Sequence, residues 1–240
     1  MLILAFESSA KPVSVAVYDA PDANSNAGFK LLGQYYQNTG LSHSRTLMSM
    51  TDSLLINLGI KPVDIGLVAV ANGPGSFTGV RIGVSAAKGF AFGLDIPVCG
   101  VSTLEAMAWQ MSFTEGIICP VMDARRDQVY TALFEWRDGI LVRLCDDRAI
   151  SIEELALEIK GSEFGYLLVG DGVEVCNKGF RHLGCYYSPD FPTINLAEEP
   201  LRYQTAYGVA LAALKTNRIS ATELEPFYLR PSQAERERLR

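Results

Sequence analysis

Asn72-Gly73-Pro74-Gly75-Ser76-Phe77-Thr78-Gly79-Val80-Arg81-Ile82-Gly83-Val84-Ser85-Ala86-Ala87-Lys88-Gly89 follows Ile65 to Ala71, an apolar run that reads as a buried strand. Gly73-Pro74-Gly75 makes a tight turn, because proline fixes φ and glycine enters backbone regions closed to other residues. Ser76 is placed to cap a helix by taking one of its orphan amides. Beyond the cap, Gly79, Gly83, Ala87 and Ala91 recur every four residues and stack on one helical face. A glycine inside a helix costs about 1 kcal/mol relative to alanine. The ridge therefore predicts close approach of another backbone, be it a strand, a second helix or a ligand. The turn is open to two readings, a strand-to-helix connection with the ridge packed on the sheet, or a loop that cradles phosphate. It has neither the Gly-Lys-Ser/Thr ending of a P-loop nor GxGxxG spacing, so neither of those phosphate mechanisms applies.

Working outward, periodicity predicts strands 2–6, 13–18 and 30–37, helix 42–58, strand 65–71, helix 76–93, strand 96–100 and helix 102–112. After Gly116 the pattern restarts. Ile117 to Met122 is apolar, Asp127 to Trp136 alternates, and Ile140 to Leu144 is a third strand. Helix 151–160, strand 166–169, a helix over about 200–216 and a strand-like run from Glu225 to Leu229 complete the chain. Asp19 to Lys30 holds a polar loop, and Gln233 to Arg240 is a charged tail expected to fray. The two halves echo each other. In each, a buried strand (Leu2 to Glu7, Ile117 to Asp123) ends on a carboxylate and returns through a tight hairpin. The expected division is 1–115 and 116–240, two β-β-β-α-β-α halves.

The chain has 240 residues, 48% of them apolar, and a net charge of −6. That charge argues against the chain alone gripping nucleic acid, which needs clustered Lys and Arg. No apolar run reaches the roughly 18 residues of a membrane span, and Met1 to Phe6 lacks a basic leader, so a cytoplasmic protein without a membrane anchor is expected. The five cysteines show no CxxC pair and read as small core residues in a reducing compartment. His43 and His182 lie far apart in sequence and form no HxxxH or HExxH set, so no metal and no cofactor are expected. In helix 42–58, Leu47, Met50, Leu54 and Leu58 form a stripe that Met48 and Leu55 widen to about 160°. Either the helix is deeply buried, or part of the stripe is a docking surface beside the small-residue ridge.

Ile3 to Ser9, His43-Ser44, Gly73 to Gly83, Asp123-Ala124-Arg125-Arg126 with Val129-Tyr130, and Tyr228-Leu229-Arg230 closely resemble the TsaB (YeaZ) family from end to end. The resemblance implies a duplicated actin-like fold of the ribonuclease H-like class, two α/β halves around a cleft. It implies a non-catalytic scaffolding subunit that acts with the paralogue TsaD and the ATPase TsaE. Together they would attach a threonylcarbamoyl group, delivered as an adenylate by another enzyme, to the adenosine beside a tRNA anticodon. It implies a heterodimer with TsaD, with homodimerisation open for the isolated chain and tRNA held mainly through the partner. It places the partner interface on helices of the N-terminal half, here Leu47, Met48, Leu55, Gly79, Gly83 and Ala87. The alternative is an active enzyme of the same fold, an ATP-dependent kinase or a glycoprotease-like metallopeptidase.

The residues that separate these are Thr103, Met107, Arg125 and Arg126. In TsaD-like paralogues a metal-binding His-Leu-Glu-Gly-His stands where this chain has Thr103-Leu104-Glu105-Ala106-Met107, and neither Thr103 nor Met107 replaces an imidazole. In active members of the superfamily the two hairpins hold a nucleotide's phosphates and metal, with glycine after the hairpin Asp. Here Asp123 is followed by Ala124 and two arginines, whose guanidinium groups could in principle bind an anion. Glu7 and Asp123 are expected to stabilise their hairpins. Gly170-Asp171-Gly172 reads as a strand-to-helix turn and His43 as a capping or packing residue.

Overall fold

The computed structural model describes residues 1–20, 28–40, 42–112, 114–199 and 201–230. The centre of the polar loop after Asp19 and the charged tail lie outside the described residues. The chain divides into two compact units, Met1–Ala106 with Gln204–Phe227, and Met107–Tyr203 with the segment from Tyr228 onward. The division differs from a cut near residue 115 in two respects. The boundary falls inside a helix, and the last helix belongs to the first unit.

The first unit holds β1 (Leu2–Glu7), β2 (Val13–Asp19), β3 (Lys30–Gln37), α1 (His43–Leu58), β4 (Ile65–Gly73), α2 (Phe77–Phe92) and β5 (Val98–Ser102). Its sheet runs β3-β2-β1-β4-β5, with β1 antiparallel to β2 and parallel to β4. β1 and β4 carry unbroken apolar runs because helices and sheet neighbours bury both their faces. Leu47, Leu54 and Leu55 of α1 and Val80, Val84, Ala87 and Ala91 of α2 pack with Leu4, Phe6, Val15 and Val70 in one core. α3 (Thr103–Trp109) then straddles the boundary.

The second unit repeats the plan with β6 (Ile117–Asp123), β7 (Gln128–Thr131), β8 (Phe134–Arg137), β9 (Ile140–Arg143), β10 (Arg148–Ser151), α4 (Ile152–Ile159), β11 (Tyr166–Val169), α5 (Val173–His182) and β12 (Ile194–Leu196). The order β10-β7-β6-β11-β12 reproduces that of the first unit, and the fold is the duplicated actin-like one. The single strand expected over Asp127 to Trp136 is split. β7 and β8 keep one register on β6, from Asp123↔Val129 to Ile117↔Glu135, with a gap opposite Cys119 and Pro120. Proline has no N–H for the ladder, so pairing lapses there. Leu133 in the gap donates its amide to Cys145 Sγ at 3.3 Å instead. The sequence pattern also passed over β10, the three-residue β12 and most of α5.

The final helix, α6 (Ala206–Ala213), is shorter than expected and buried on nearly every side. Thr205 at its N-cap makes no side-chain cap bond to the helix. Its first amides go instead to the first sheet, Ala206 N–H to Ser14 Oγ at 2.6 Å and Tyr207 N–H to Gln34 Oε1 at 2.9 Å. Glu225 to Phe227 form no strand. They lie along the β4–α2 turn, Phe227 N–H donating to Asn72 O at 2.7 Å and Asn72 Nδ2 to Glu225 O at 3.1 Å. Lys88 Nζ on α2 donates to the carbonyls of Thr222 and Leu224 at 3.2 and 2.9 Å. Gly73, at φ 131°, is needed here, since a Cβ would strike the Phe227 carbonyl.

Burial pushes the thiols of Cys99 and Cys119 up to about 12, so both are neutral and unreactive near pH 7. Cys145 alone among the five cysteines is only partly buried. Alkylation of the native protein with iodoacetamide at pH 8 should label Cys145 first, with Cys99 and Cys119 reacting only after unfolding; peptide mass analysis over time checks the order.

Candidate functional site

Each unit presents a strand-to-strand hairpin ending on a carboxylate, and the two are built alike. Glu7 ends β1 and accepts the Ser9 amide at 2.6 Å. Asp123 ends β6 and accepts the Arg125 amide through Oδ1 at 2.7 Å. Both carboxylates thus hold their own turns, as the sequence suggested. Their surroundings differ sharply.

The first hairpin is sealed. Ser8, Ser9 and Ala10 are buried beneath the start of α2. Ser76 N–H donates to Ser9 O at 2.6 Å, and Ser8 Oγ donates to Gly79 O at 2.9 Å. A Cβ on Gly79 would collide with the Ser8 carbonyl, and one on Gly83 would lie 2.5 Å from Ser8 Oγ. The close approach foreseen from the small-residue ridge is therefore to the Ser8–Ser9 turn of the same unit. Ser76 caps α2 as expected, accepting the Gly79 amide at 3.3 Å. His43 ties α1 to this hairpin through Nε2 and Ala10 O at 2.7 Å, a packing role. Ser42, at the α1 N-cap, makes no side-chain cap bond and pairs with Ser44 Oγ instead.

The second hairpin is open and strained. Arg125, Arg126 and Asp127 have φ of 67°, 56° and 54°, three successive left-handed residues without a glycine, each costing about 1–2 kcal/mol. All three are exposed. The Arg125 guanidinium also meets Asp123 Oδ2 at 3.3 Å. Gly170-Asp171-Gly172 is the turn from β11 into α5. The Gly172 amide donates to Val121 O at 3.0 Å, and a Cβ on Gly170 would strike that same carbonyl. Thr103 and Met107 of α3 are fully buried. Among the described residues no group of three or more His, Cys, Asp or Glu is placed to hold a metal.

The first unit also carries an open groove of about 590 Å³ between α1 and α2, lined by His43, Met48, Phe77, Arg81, Ile82 and Ala86 among others. Arg81 lies over the Phe77 ring at 3.8 Å from its centroid. Of the residues expected at an interface, Leu47, Leu55, Gly79, Gly83 and Ala87 are buried in the first unit's own core. These five residues therefore lie inside the unit. The wide apolar arc of α1 packs partly on the sheet and partly on α2, so most of it is internal. Met48 is the exception, 44% exposed at the groove. Phe77, Arg81 and Ile82 were not singled out from the sequence. The i, i+4, i+5 spacing from Phe77 was the available signal.

Residues 37–223 match the family model described as "TsaD: tRNA N6-adenosine threonylcarbamoyltransferase". The Haemophilus influenzae protein "tRNA threonylcarbamoyladenosine biosynthesis protein TsaB" is 30% identical over 209 residues, 79% of this chain and 80% of that one. The chain belongs to the TsaB family. The TsaB protein of Bacillus subtilis is 37% identical over 140 residues, 58% of this chain; the match spans 61% of that relative's length. With the Escherichia coli TsaB protein it spans 55%. The solved structure "YeaZ from Pseudomonas aeruginosa" has the same fold, with a TM-score of 0.73 over 95% of this chain and 99% of that one at 23% identity.

Gly79→Ala should destabilise the chain by about 1–3 kcal/mol through the clash with Ser8, read as a lower urea midpoint. Ala87→Trp should cost about 3 kcal/mol, because Ala87 is 0% exposed. Met48→Glu should stay within about 0.5 kcal/mol of the parent, as surface substitutions do. Chemical denaturation of the three variants side by side checks the ranking.

Proposed function

We propose that this chain is a non-catalytic scaffolding subunit in tRNA threonylcarbamoyladenosine formation, working with a TsaD-like paralogue and a TsaE-like ATPase. The names of its TsaB relatives support a role in that pathway. The observation that carries the non-catalytic part is the sealed first hairpin. In nucleotide-binding members of the actin-like superfamily that hairpin approaches phosphate with its backbone. Here the α2 main chain occupies its surface, and Glu7 takes the Ser9 amide. At the second hairpin Asp123 is engaged by its own turn and by Arg125 rather than followed by glycine.

The α1–α2 groove is the proposed seat of the paralogous partner. Met48, Phe77 and Ile82 offer apolar area, and Arg81 offers a cation for a partner carboxylate. Partly exposed aromatic and methionine side chains around one arginine have the composition of an interface centre. The paralogue is the occupant proposed, and a second copy of this chain is the competitor that the test distinguishes.

The isolated chain should show no ATP hydrolysis above a blank. Turnover that Asp123→Ala abolishes would restore the enzyme reading. Met48→Glu and Arg81→Glu should each weaken association with the TsaD-like partner at least tenfold by calorimetry, with thermal midpoints near the parent's. If both variants bind the partner normally while the isolated chain stops self-associating in sedimentation, the groove seats a second copy instead.

A further inference from the structure

We infer that the β6–β7 turn of the second unit is a contact point for the phosphodiester backbone of RNA; this rests on the tRNA-modification reading above. The turn carries three left-handed residues, Arg125, Arg126 and Asp127, and none is glycine. Backbone strain of this kind persists only where the surroundings over-determine it. Five sets of bonds do so. Arg125 N–H donates to Asp123 Oδ1 at 2.7 Å, Gln128 N–H to Arg125 O at 3.3 Å, Ala124 N–H to Gln128 O at 3.0 Å and Ile152 N–H to Asp127 O at 3.0 Å. Arg230 spans the base, from Nη1 to Ala124 O at 3.4 Å and from Nη2 to Gln128 Oε1.

Glycine at these exposed positions would relieve the strain without loss of packing. The chain instead presents two arginines on a rigidly held turn. The Arg125 side chain is 86% exposed although it meets Asp123, and an exposed pair of that kind contributes little, so the guanidinium is available for exchange. Guanidinium forks match phosphate oxygens, and holding their backbone fixed beforehand lowers the ordering cost of a contact. Exposed side chains on a turn do not enclose a small ligand; they suit a polyanion lying across them. A chain of net charge −6 is unsuited to nucleic acid as a whole, so its contribution must be local, with the rest of the grip supplied by the complex.

The test uses the complex of this chain with its TsaD-like partner and measures tRNA affinity by fluorescence anisotropy across a salt series. Arg126→Gly removes charge and strain together. It should raise the thermal midpoint of the chain by about 2–4 °C, weaken tRNA binding three- to tenfold, and lower the slope of log affinity against log salt by about 1. Arg125→Ala/Arg126→Ala should lower the slope by about 2. Lys178→Ala, at an exposed site on α5, should change neither quantity. Unchanged affinity and slope in the arginine variants, or an equal loss in Lys178→Ala, overturns the proposal. So does displacement of tRNA by millimolar ATP from the parent but not from the variants, which would mark a small-anion site. Modification of the tRNA is read in the same samples. A parental complex that modifies tRNA while variant binding is unchanged overturns this inference alone, whereas one that neither binds nor modifies tRNA overturns the functional reading as well.

Discussion

The contact between the start of α2 and the Ser8–Ser9 turn is the constraint on which the first unit depends. It joins two main chains at close range, directly from Ser76 N–H to Ser9 O and through one short hydroxyl from Ser8 Oγ to Gly79 O. Only glycine at 79 permits that approach, and the helix accepts about 1 kcal/mol of lost propensity for it. The same contact fixes the height of α2 above β1 and β4 and so decides which α2 residues face inward. Val80, Val84, Ala87 and Ala91 enter the core, and Phe77, Arg81 and Ile82 are left beside α1 to line the groove. His43, bonded to Ala10 of the same hairpin, brings α1 to the groove's other wall.

The two hairpins show how a duplicated plan diverges while keeping its local chemistry. Glu7 and Asp123 each accept the amide two residues further on, the bond that closes a tight turn after a strand. What differs is the covering. A helix N-terminus lies on the first turn, whereas the second is exposed, left-handed and arginine-bearing. In the first arrangement the start of α2 is bonded to the turn. The second leaves guanidinium groups in solvent.

Long-range bonds between side chains and main chain complete the first unit. The N-cap residue of α6 makes no side-chain cap bond, and Ser14 and Gln34 from β2 and β3 take its first amides, which locks its start to the sheet. The stretch after it crosses the β4–α2 turn and is held by Asn72 and Lys88. These bonds explain why the residues from Gln204 to Phe227 belong with the first unit although the chain enters the second in between.

The sequence by itself determined the fold class. Its strand and helix periodicities fall on β1 to β6, α1, α2 and α4, and the echo between Leu2–Glu7 and Ile117–Asp123 marks the duplication. It also determined the roles of Glu7, Asp123 and Ser76, because an N-cap or a hairpin carboxylate acts within three residues of itself. Less was legible wherever the partner lies far along the chain. The gap between β7 and β8 follows from Pro120 across the ladder, and the shortness of α6 follows from caps on β2 and β3. An apolar stripe records how much of a helix is covered but not by what. Hence Leu47 and Leu55 were indistinguishable from Met48 until α1 had a sheet on one side and α2 on the other. The ridge of Gly79 and Gly83 likewise announced a close approach without naming the neighbour. Only the tertiary structure decided that it is Ser8 of the same unit, because a missing side chain specifies a distance and carries no information about which atoms will fill it.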